Sequence, residues 1–227
     1  MSVTHVTAKA LLFSGYGTTG KSHLKSKITQ SALQHYYAET ARRKTRADLK
    51  LAVSLVIDKK IAVDCGCGAG ADIQYLLDND FFVHAFDIEK SAIDRCRQRF
   101  ADIPQVDLSQ SSFINFEYPP CQLVVADASL FFCPPEAFAA VWQKVDDSLQ
   151  PGGVFCGSFL GPEDTMAREP ESEQTFWKIV TVLTEQEVRL LFEEYHVLRF
   201  TEHKRSGLTP QGTPHDWHIY AVVAQKR

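Results

Sequence analysis

The run Asp64-Cys65-Gly66-Cys67-Gly68-Ala69-Gly70 sets a carboxylate before three glycines on alternate positions. Glycine lets the backbone turn sharply and lets a ligand approach it closely. Asp64 closes the apolar run Ile61-Ala62-Val63, where a carboxylate can hold a cationic amino-acid group. Asp87 closes the next apolar run, roughly 20 residues beyond the loop, the spacing at which an acid binds a ribose diol. With Ala71 the glycines also satisfy G-x-G-x-x-A, a dinucleotide fingerprint. A separate run, Gly15-Tyr16-Gly17-Thr18-Thr19-Gly20-Lys21-Ser22, satisfies the phosphate-cradling pattern G-x-x-x-x-G-K-S. Two ligand chemistries therefore compete: a nucleoside-bearing ligand at the first loop and a nucleotide triphosphate at the second.

The surrounding elements decide which loop has the right setting. Ile61 to Asp64, Phe82 to Asp87, Val106 to Gln110, Leu123 to Asp127 and Val154 to Phe159 read as strands. Helical patterns separate them: one running through Leu77, one from Glu89 to Phe100, and one opening at Pro134-Pro135, where proline suits a first turn. Alternating strands and helices predict a parallel sheet covered on both faces. Thr184-Glu185-Gln186-Glu187 is a capping-box pattern opening a helix through Glu194. Two final strands, about Val197 to His203 and Trp217 to Val223, flank a loop with Gly207, Pro210, Gly212 and Pro214. That loop predicts a hairpin, so one of the last strands runs antiparallel. The expected fold is α/β, a doubly wound Rossmann-like seven-stranded sheet, mostly parallel, with a C-terminal antiparallel hairpin. Ahead of it, Thr29 to Lys44 reads as a helix with Leu33, Tyr36, Tyr37 and Ala41 on one face, and Ala47 to Val56 as another. Residues 1–27 read as an extension, and residues 28–227 as one domain.

Composition narrows the partners. The formal net charge of −4 offers no global field for nucleic acid or an anionic membrane. No apolar run approaches the roughly 20 residues that cross a bilayer, and Ala10 to Phe13 is too short for a secretory signal. The six cysteines form no C-x-x-C pair and sit mostly in apolar stretches, which predicts free thiols and a cytoplasmic protein. Zinc is not expected, because Cys65 and Cys67 lie in the glycine loop. His215 and His218, three apart on a strand, should face opposite sides and so not share a metal.

With these residues placed, the stretch from about Lys60 to Phe159 resembles the cofactor domain of class I S-adenosylmethionine (SAM)-dependent methyltransferases. The resemblance rests on Asp64 to Gly70, on Asp87 with Ile88, and on Leu149-Gln150-Pro151-Gly152-Gly153 before strand five. It implies that Gly66, Gly68 and Gly70 pass the methionine part of SAM, that Asp87 binds the ribose hydroxyls, and that Ile88 packs on adenine. Ser112, followed by Phe113, stands where the family often has an acid for the adenine amino group. Outside the core, Tyr36-Tyr37 with Arg42, Gly161-Pro162-Glu163-Asp164, and Trp217-His218 are similar to the tellurite-resistance and thiopurine group of small-molecule methyltransferases. The cofactor set expected is therefore Tyr37, Arg42, Asp64, Gly66, Gly68, Gly70, Asp87, Ile88, Ser112, Phe113 and Asp127, with a small-molecule acceptor and no metal.

Plainer readings stand beside these. Tyr36 and Tyr37 can be core aromatics, and Arg42, Arg43, Lys44 and Arg46 read first as a solvated basic face. Trp217 reads as packing. Asp127, Asp164 and His218 are candidate general bases, and none is assigned as catalytic. The rival functions are a P-loop kinase or NTPase built on Gly15 to Ser22, and a SAM-binding module without catalysis. The P-loop reading leaves the Asp64–Gly70 loop, Asp87 and the terminal hairpin unexplained. A chain beginning near Lys27 should therefore still bind SAM, and the full chain should not bind ATP. Magnesium-dependent ATP binding abolished by Lys21→Ala would restore the kinase reading.

Overall fold

The computed structural model describes residues 37, 40, 43–170, 179–209 and 212–227. Tyr36, Arg42 and the Gly15–Ser22 run lie outside them. Of the expected helix from Thr29 to Lys44, Tyr37 and Thr40 are helical, but Arg43 to Arg46 are irregular. The helix expectation thus overruns at its end, where these basic residues are drawn into side-chain pairs described below.

The described elements run α1 (Ala47–Leu55), β1 (Ile61–Cys65), α2 (Ala71–Leu77), β2 (Phe82–Asp87), α3 (Lys90–Arg99), β3 (Val106–Gln110) and β4 (Cys121–Ala126). They continue with α4 (Pro135–Ser148), β5 (Leu149–Leu160), α5 (Thr165–Arg168), α6 (Glu185–Leu191), β6 (Tyr195–Leu208) and β7 (Pro214–Lys226). The sheet order is β3-β2-β1-β4-β5-β7-β6. The first five strands pair in parallel, and β7 pairs antiparallel with both β5 and β6. The order reverses between β1 and β4, the switch point where open α/β sheets bind ligands.

Strand alternation divides the core between two faces. Val63, Cys65, Val124, Ala126, Phe155, Phe159, Tyr220 and Val222 join α4 and α6 in one cluster around Trp142 and Phe192. Ala62, Val83, Ala85, Leu123, Val125, Cys156 and Val223 join α1, α2 and α3 in the other. Asp64, Asp87 and Asp127 therefore project on the α1 side, each two residues past an apolar member of that face. The capping box closes α6: the Thr184 hydroxyl accepts from Glu187 N–H, and the Glu187 carboxylate accepts from Thr184 N–H.

The terminal strands are much longer than the expected Val197–His203 and Trp217–Val223. Gly207 and Pro214, expected in the loop, lie within β6 and β7. Alternation of apolar residues fades there because the excess length is an overhang. β5 ends at Leu160 opposite Ile219, so Pro214 to His218 extend past it. The segment after β5 then replaces the missing strand. The Gly161 N–H donates to His218 O, the His218 N–H donates to Asp164 Oδ2, and the Asp216 N–H donates to Thr165 Oγ1. Backbone groups of β7 are satisfied without a β5 neighbour, as buried amides require.

Thr184→Ala removes the cap of α6 and should cost about 1 kcal/mol of unfolding free energy. Denaturant unfolding of the variant checks this.

Candidate cofactor and acceptor site

The loop after β1 turns through three left-handed glycines, with φ of +73° at Gly66, +53° at Gly68 and +75° at Gly70. They differ in what a side chain would meet. A Cβ on Gly66 would lie 2.7 Å from Ser129 Cβ, and one on Gly70 would lie 2.7 Å from the Phe100 ring. Those glycines serve the protein's own packing. A Cβ on Gly68 would meet only the Tyr37 ring at 3.9 Å, so Gly68 presents the open side of the loop.

Asp87 holds that loop in shape. Its Oδ2 accepts from the Gly68 N–H at 3.0 Å, and its Oδ1 accepts from the Glu89 N–H at 2.8 Å. Burial pushes its pKa up, opposed by the backbone donors of Glu89, Gly68 and Ile88. The carboxylate keeps lone-pair capacity for a diol hydroxyl. Ile88 beside it is 54% exposed, an apolar surface facing solvent. The Ser112 hydroxyl accepts from the Asn115 N–H and thus closes its own turn. The Phe113 ring packs edge-on against Phe86, 5.4 Å away, so its apolar body serves the core. Tyr37 is 4% exposed and clusters with Ala69 of the loop and Ala92 of α3.

The methionine end of the expected site gathers several charged groups. Asp64 is 3% exposed at the end of β1, flanked by Ala85 of β2 and Val125 of β4. Arg43 and Arg46 reach across the strand ends. Arg43 contacts Asp72 Oδ2 at 2.8 Å and Asp127 Oδ2 at 3.6 Å. Arg46 contacts the same two oxygens at 3.1 and 2.6 Å. The expectation of a solvated basic face is thus wrong for these two: two buried or half-buried acids capture them. Burial works against the Arg46 charge, but Asp127 and Asp72 outweigh it and raise its pKa. Sequence reading fixed on Arg42 and missed Arg43 and Arg46. The available signal was the surplus of acids, Asp64, Asp72 and Asp127, at the strand ends and loop.

Among the described residues, two atoms in this cluster lack a partner. Asp64 Oδ2 is a buried acceptor, and one terminal nitrogen of Arg46 is a buried donor, without a hydrogen bond. Burial, and next the Asp72 charge, push the Asp64 carboxyl well above the usual range, while Arg43 and Arg46 pull it back. Buried polar atoms normally have partners, and orphans call for an explanation. An α-amino acid zwitterion carries what both lack, an ammonium for Asp64 and a carboxylate for Arg46. The chain's own residues therefore fit a ligand with an amino-acid end above Gly68 and a ribose at Asp87.

Residues 62–153 match the methyltransferase domain family. Over those residues the chain is similar to methyltransferase domains, and the sheet has the fold of SAM-dependent methyltransferases. That similarity supports SAM as the cofactor and does not favour the nucleotide-kinase reading. No curated protein matches the chain. Among solved structures, TehB from Haemophilus influenzae aligns with a TM-score of 0.68 at 13% identity, covering 86% of this chain and 67% of TehB. The N-methyltransferase NodS from Bradyrhizobium japonicum, solved with S-adenosylhomocysteine (SAH), aligns at 0.62 and 15% identity, covering 86% of this chain and 97% of NodS. The 1,6-didemethyltoxoflavin-N1-methyltransferase of Burkholderia thailandensis aligns at 0.61 and 16%, covering 100% and 91%. At these identities the likeness speaks for the fold.

The candidate bases named from the sequence are all engaged. Asp127 is paired with Arg46. Asp164, fully buried, accepts from Met166 N–H and His218 N–H and contacts His215 Nε2. His218 accepts at Nδ1 from the Glu163 N–H and donates at Nε2 to Glu202. His215 and His218 lie on opposite faces of β7, and no group of three metal-binding side chains occurs among the described residues.

Gly68→Ala should retain most of its stability, losing only the left-handed strain of about 1–2 kcal/mol, yet lose SAH affinity. Gly70→Ala should unfold far more easily, because overpacking against Phe100 adds about 1–3 kcal/mol. Thermal unfolding and calorimetry on both variants separate the two glycine roles. For Asp64 the folded pKa lies above the unfolded one, so its ionisation weakens the fold as pH rises through that window. Asp64→Asn should therefore melt higher than the natural chain at neutral pH, with the gap closing in acid, while binding SAH more weakly. A melting temperature that falls at neutral pH would contradict the assignment of strain to Asp64.

Proposed function

We propose that this domain transfers the SAM methyl group to a small-molecule acceptor in the cytoplasm. The observation that carries the reading is the orphaned pair, Asp64 Oδ2 and the Arg46 nitrogen, beside the open side of Gly68. When bound, SAM supplies an activated methyl group on a sulfonium. The chain's residues bind and orient it: Asp64 takes the ammonium, Arg46 with Arg43 the carboxylate, Asp87 the ribose hydroxyls, and Ile88 one face of adenine. Ser112 and Phe113 border the adenine end, and Tyr37 closes the site from the preceding segment; the expected role of Arg42 lies outside the described residues. Asp127 holds Arg46 in place from β4. Orientation and exclusion of water then do most of the catalytic work.

Several features favour a small acceptor. The chain has a net charge of −4, which provides no overall attraction for a nucleic acid. No helix among the described residues is long and apolar enough to cross a membrane. The structurally similar toxoflavin-pathway enzyme carries 1,6-didemethyltoxoflavin beside S-adenosylhomocysteine. All six cysteines are free and buried, which suits a reducing compartment. Residues 1–27 are then an appendage to a domain spanning 28–227.

Isothermal calorimetry of the full chain with SAH tests the proposal. We expect one site, weakened about tenfold or more by Asp87→Ala, since a hydrogen bond to a charged group is worth about 1.5–3 kcal/mol. Unchanged affinity in a folded Asp87→Ala protein would sink the ribose assignment.

A further inference from the structure

We infer that His215, oriented by Asp164, is the general base of this site, and that the acceptor atom is a protic hydroxyl or ring nitrogen. The inference rests on the methyltransferase reading above and deepens it. His215 and Trp217 lie on the β7 overhang, on the face shared by Ile219, Ala221 and Val223. Val223 packs in the cluster of α1, and the neighbouring β6 residue Arg199 pairs with Asp48 of α1. The overhang therefore stands beyond the strand ends on the same face as Asp64, Asp127 and the two arginines. Loops past the carboxyl ends of β4 and β5 border the ligand in such a sheet.

The dyad has the arrangement that activates a base. Asp164 comes from the segment after β5, and its Oδ1 lies 3.1 Å from His215 Nε2. That oxygen also accepts the Met166 N–H, and Oδ2 accepts the His218 N–H, so the carboxylate is fixed on three sides. An ionised carboxylate only accepts, which places the His215 proton on Nε2 and leaves a lone pair on Nδ1. The ring is held against Trp217 at 4.7 Å and stays 13% exposed. The charges around it are Asp164, Asp216 on its own strand, Arg168 of α5 paired with Asp216, and Arg205 of β6 over the Trp217 ring. By contrast, both ring nitrogens of His218 are engaged and Asp127 is paired with Arg46, so neither of these earlier candidates keeps a free basic site like Nδ1.

In the step, Nδ1 takes the acceptor O–H or N–H proton while the acceptor lone pair forms the new bond to the methyl carbon. The carbon–sulfur bond breaks, its electron pair stays on sulfur, and the products are the methylated acceptor, SAH and a histidinium that returns its proton to water. A thiolate acceptor arrives ionised and would have no use for this base.

The test uses the full chain with SAH and catechol as the protic probe, and 4-nitrothiophenol as the ionised one. Long-range nitrogen–proton NMR should find His215 as the Nε2–H tautomer, and catechol should shift its Nδ1 signal in the SAH complex. With SAM, His215→Gln should lower catechol methylation by about 100-fold or more, the range of general-base catalysis. It should leave SAH affinity and thiophenol turnover unchanged. Asp164→Asn should disturb the tautomer, and if it fails to fold, the His215 variant still decides. An Nδ1–H tautomer, a His215 signal indifferent to catechol, or equal losses for both acceptors would overturn the proposal. Loss of SAH binding in the natural chain would instead remove the cofactor reading beneath it.

Discussion

Three carboxylates, Asp64, Asp72 and Asp127, converge with two guanidinium groups at the carboxyl ends of β1 and β4. Like charges so close can remain ionised only beside opposite ones. Arg43 and Arg46 supply these, each reaching both Asp72 and Asp127. Removing one partner of such a buried pair leaves an uncompensated charge and typically costs about 3–5 kcal/mol. The cluster fixes the path of the chain into α1, which in turn covers the face that carries Asp64 and Asp87. It is balanced without being satisfied: Asp64 Oδ2 and one Arg46 nitrogen keep no partner among the described residues. Stability is thereby sacrificed at the place where an amino-acid ligand would restore it, a common arrangement at functional sites.

The far end of the site has a different logic. There β6 and β7 outrun β5, and an overhanging strand edge would expose amides to solvent or to another chain. Gly161, Asp164 and Thr165 close that edge by hydrogen bonding to β7. Gly161 has no room for a side chain, since a Cβ would lie 2.5 Å from the His218 ring. The same carboxylate that completes the sheet orients His215. Structural closure and base orientation are thus one interaction, which explains a fully buried aspartate in a loop.

The sheet was readable because burial on both faces of parallel strands forces short apolar runs. Phe82–Asp87 and Val106–Gln110 are found at their expected bounds, and the final antiparallel hairpin is present. The capping box was readable because its reciprocal bonds need only residues three apart. The hairpin's length was not. Its overhang is held by side chains from a loop distant in sequence, and Gly207 and Pro214 look like turn residues to any local rule. The basic cluster failed for the same reason. Arg43 and Arg46 resemble a solvated face until folding brings Asp72 and Asp127 to them. The glycine loop was visible as a motif, but the division of labour among its glycines depends on Ser129 and Phe100, which only the fold brings near.

The central claim is that the unpartnered atoms of Asp64 and Arg46 receive the amino-acid end of the cofactor. Calorimetry comparing SAH with 5′-methylthioadenosine, which keeps the nucleoside and lacks the amino acid, tests it most directly. Two charge-assisted contacts of about 1.5–3 kcal/mol each predict that SAH binds at least about 100-fold more tightly, and that Asp64→Asn narrows the difference. Equal affinity for the two ligands, unaffected by Asp64→Asn, would contradict the account.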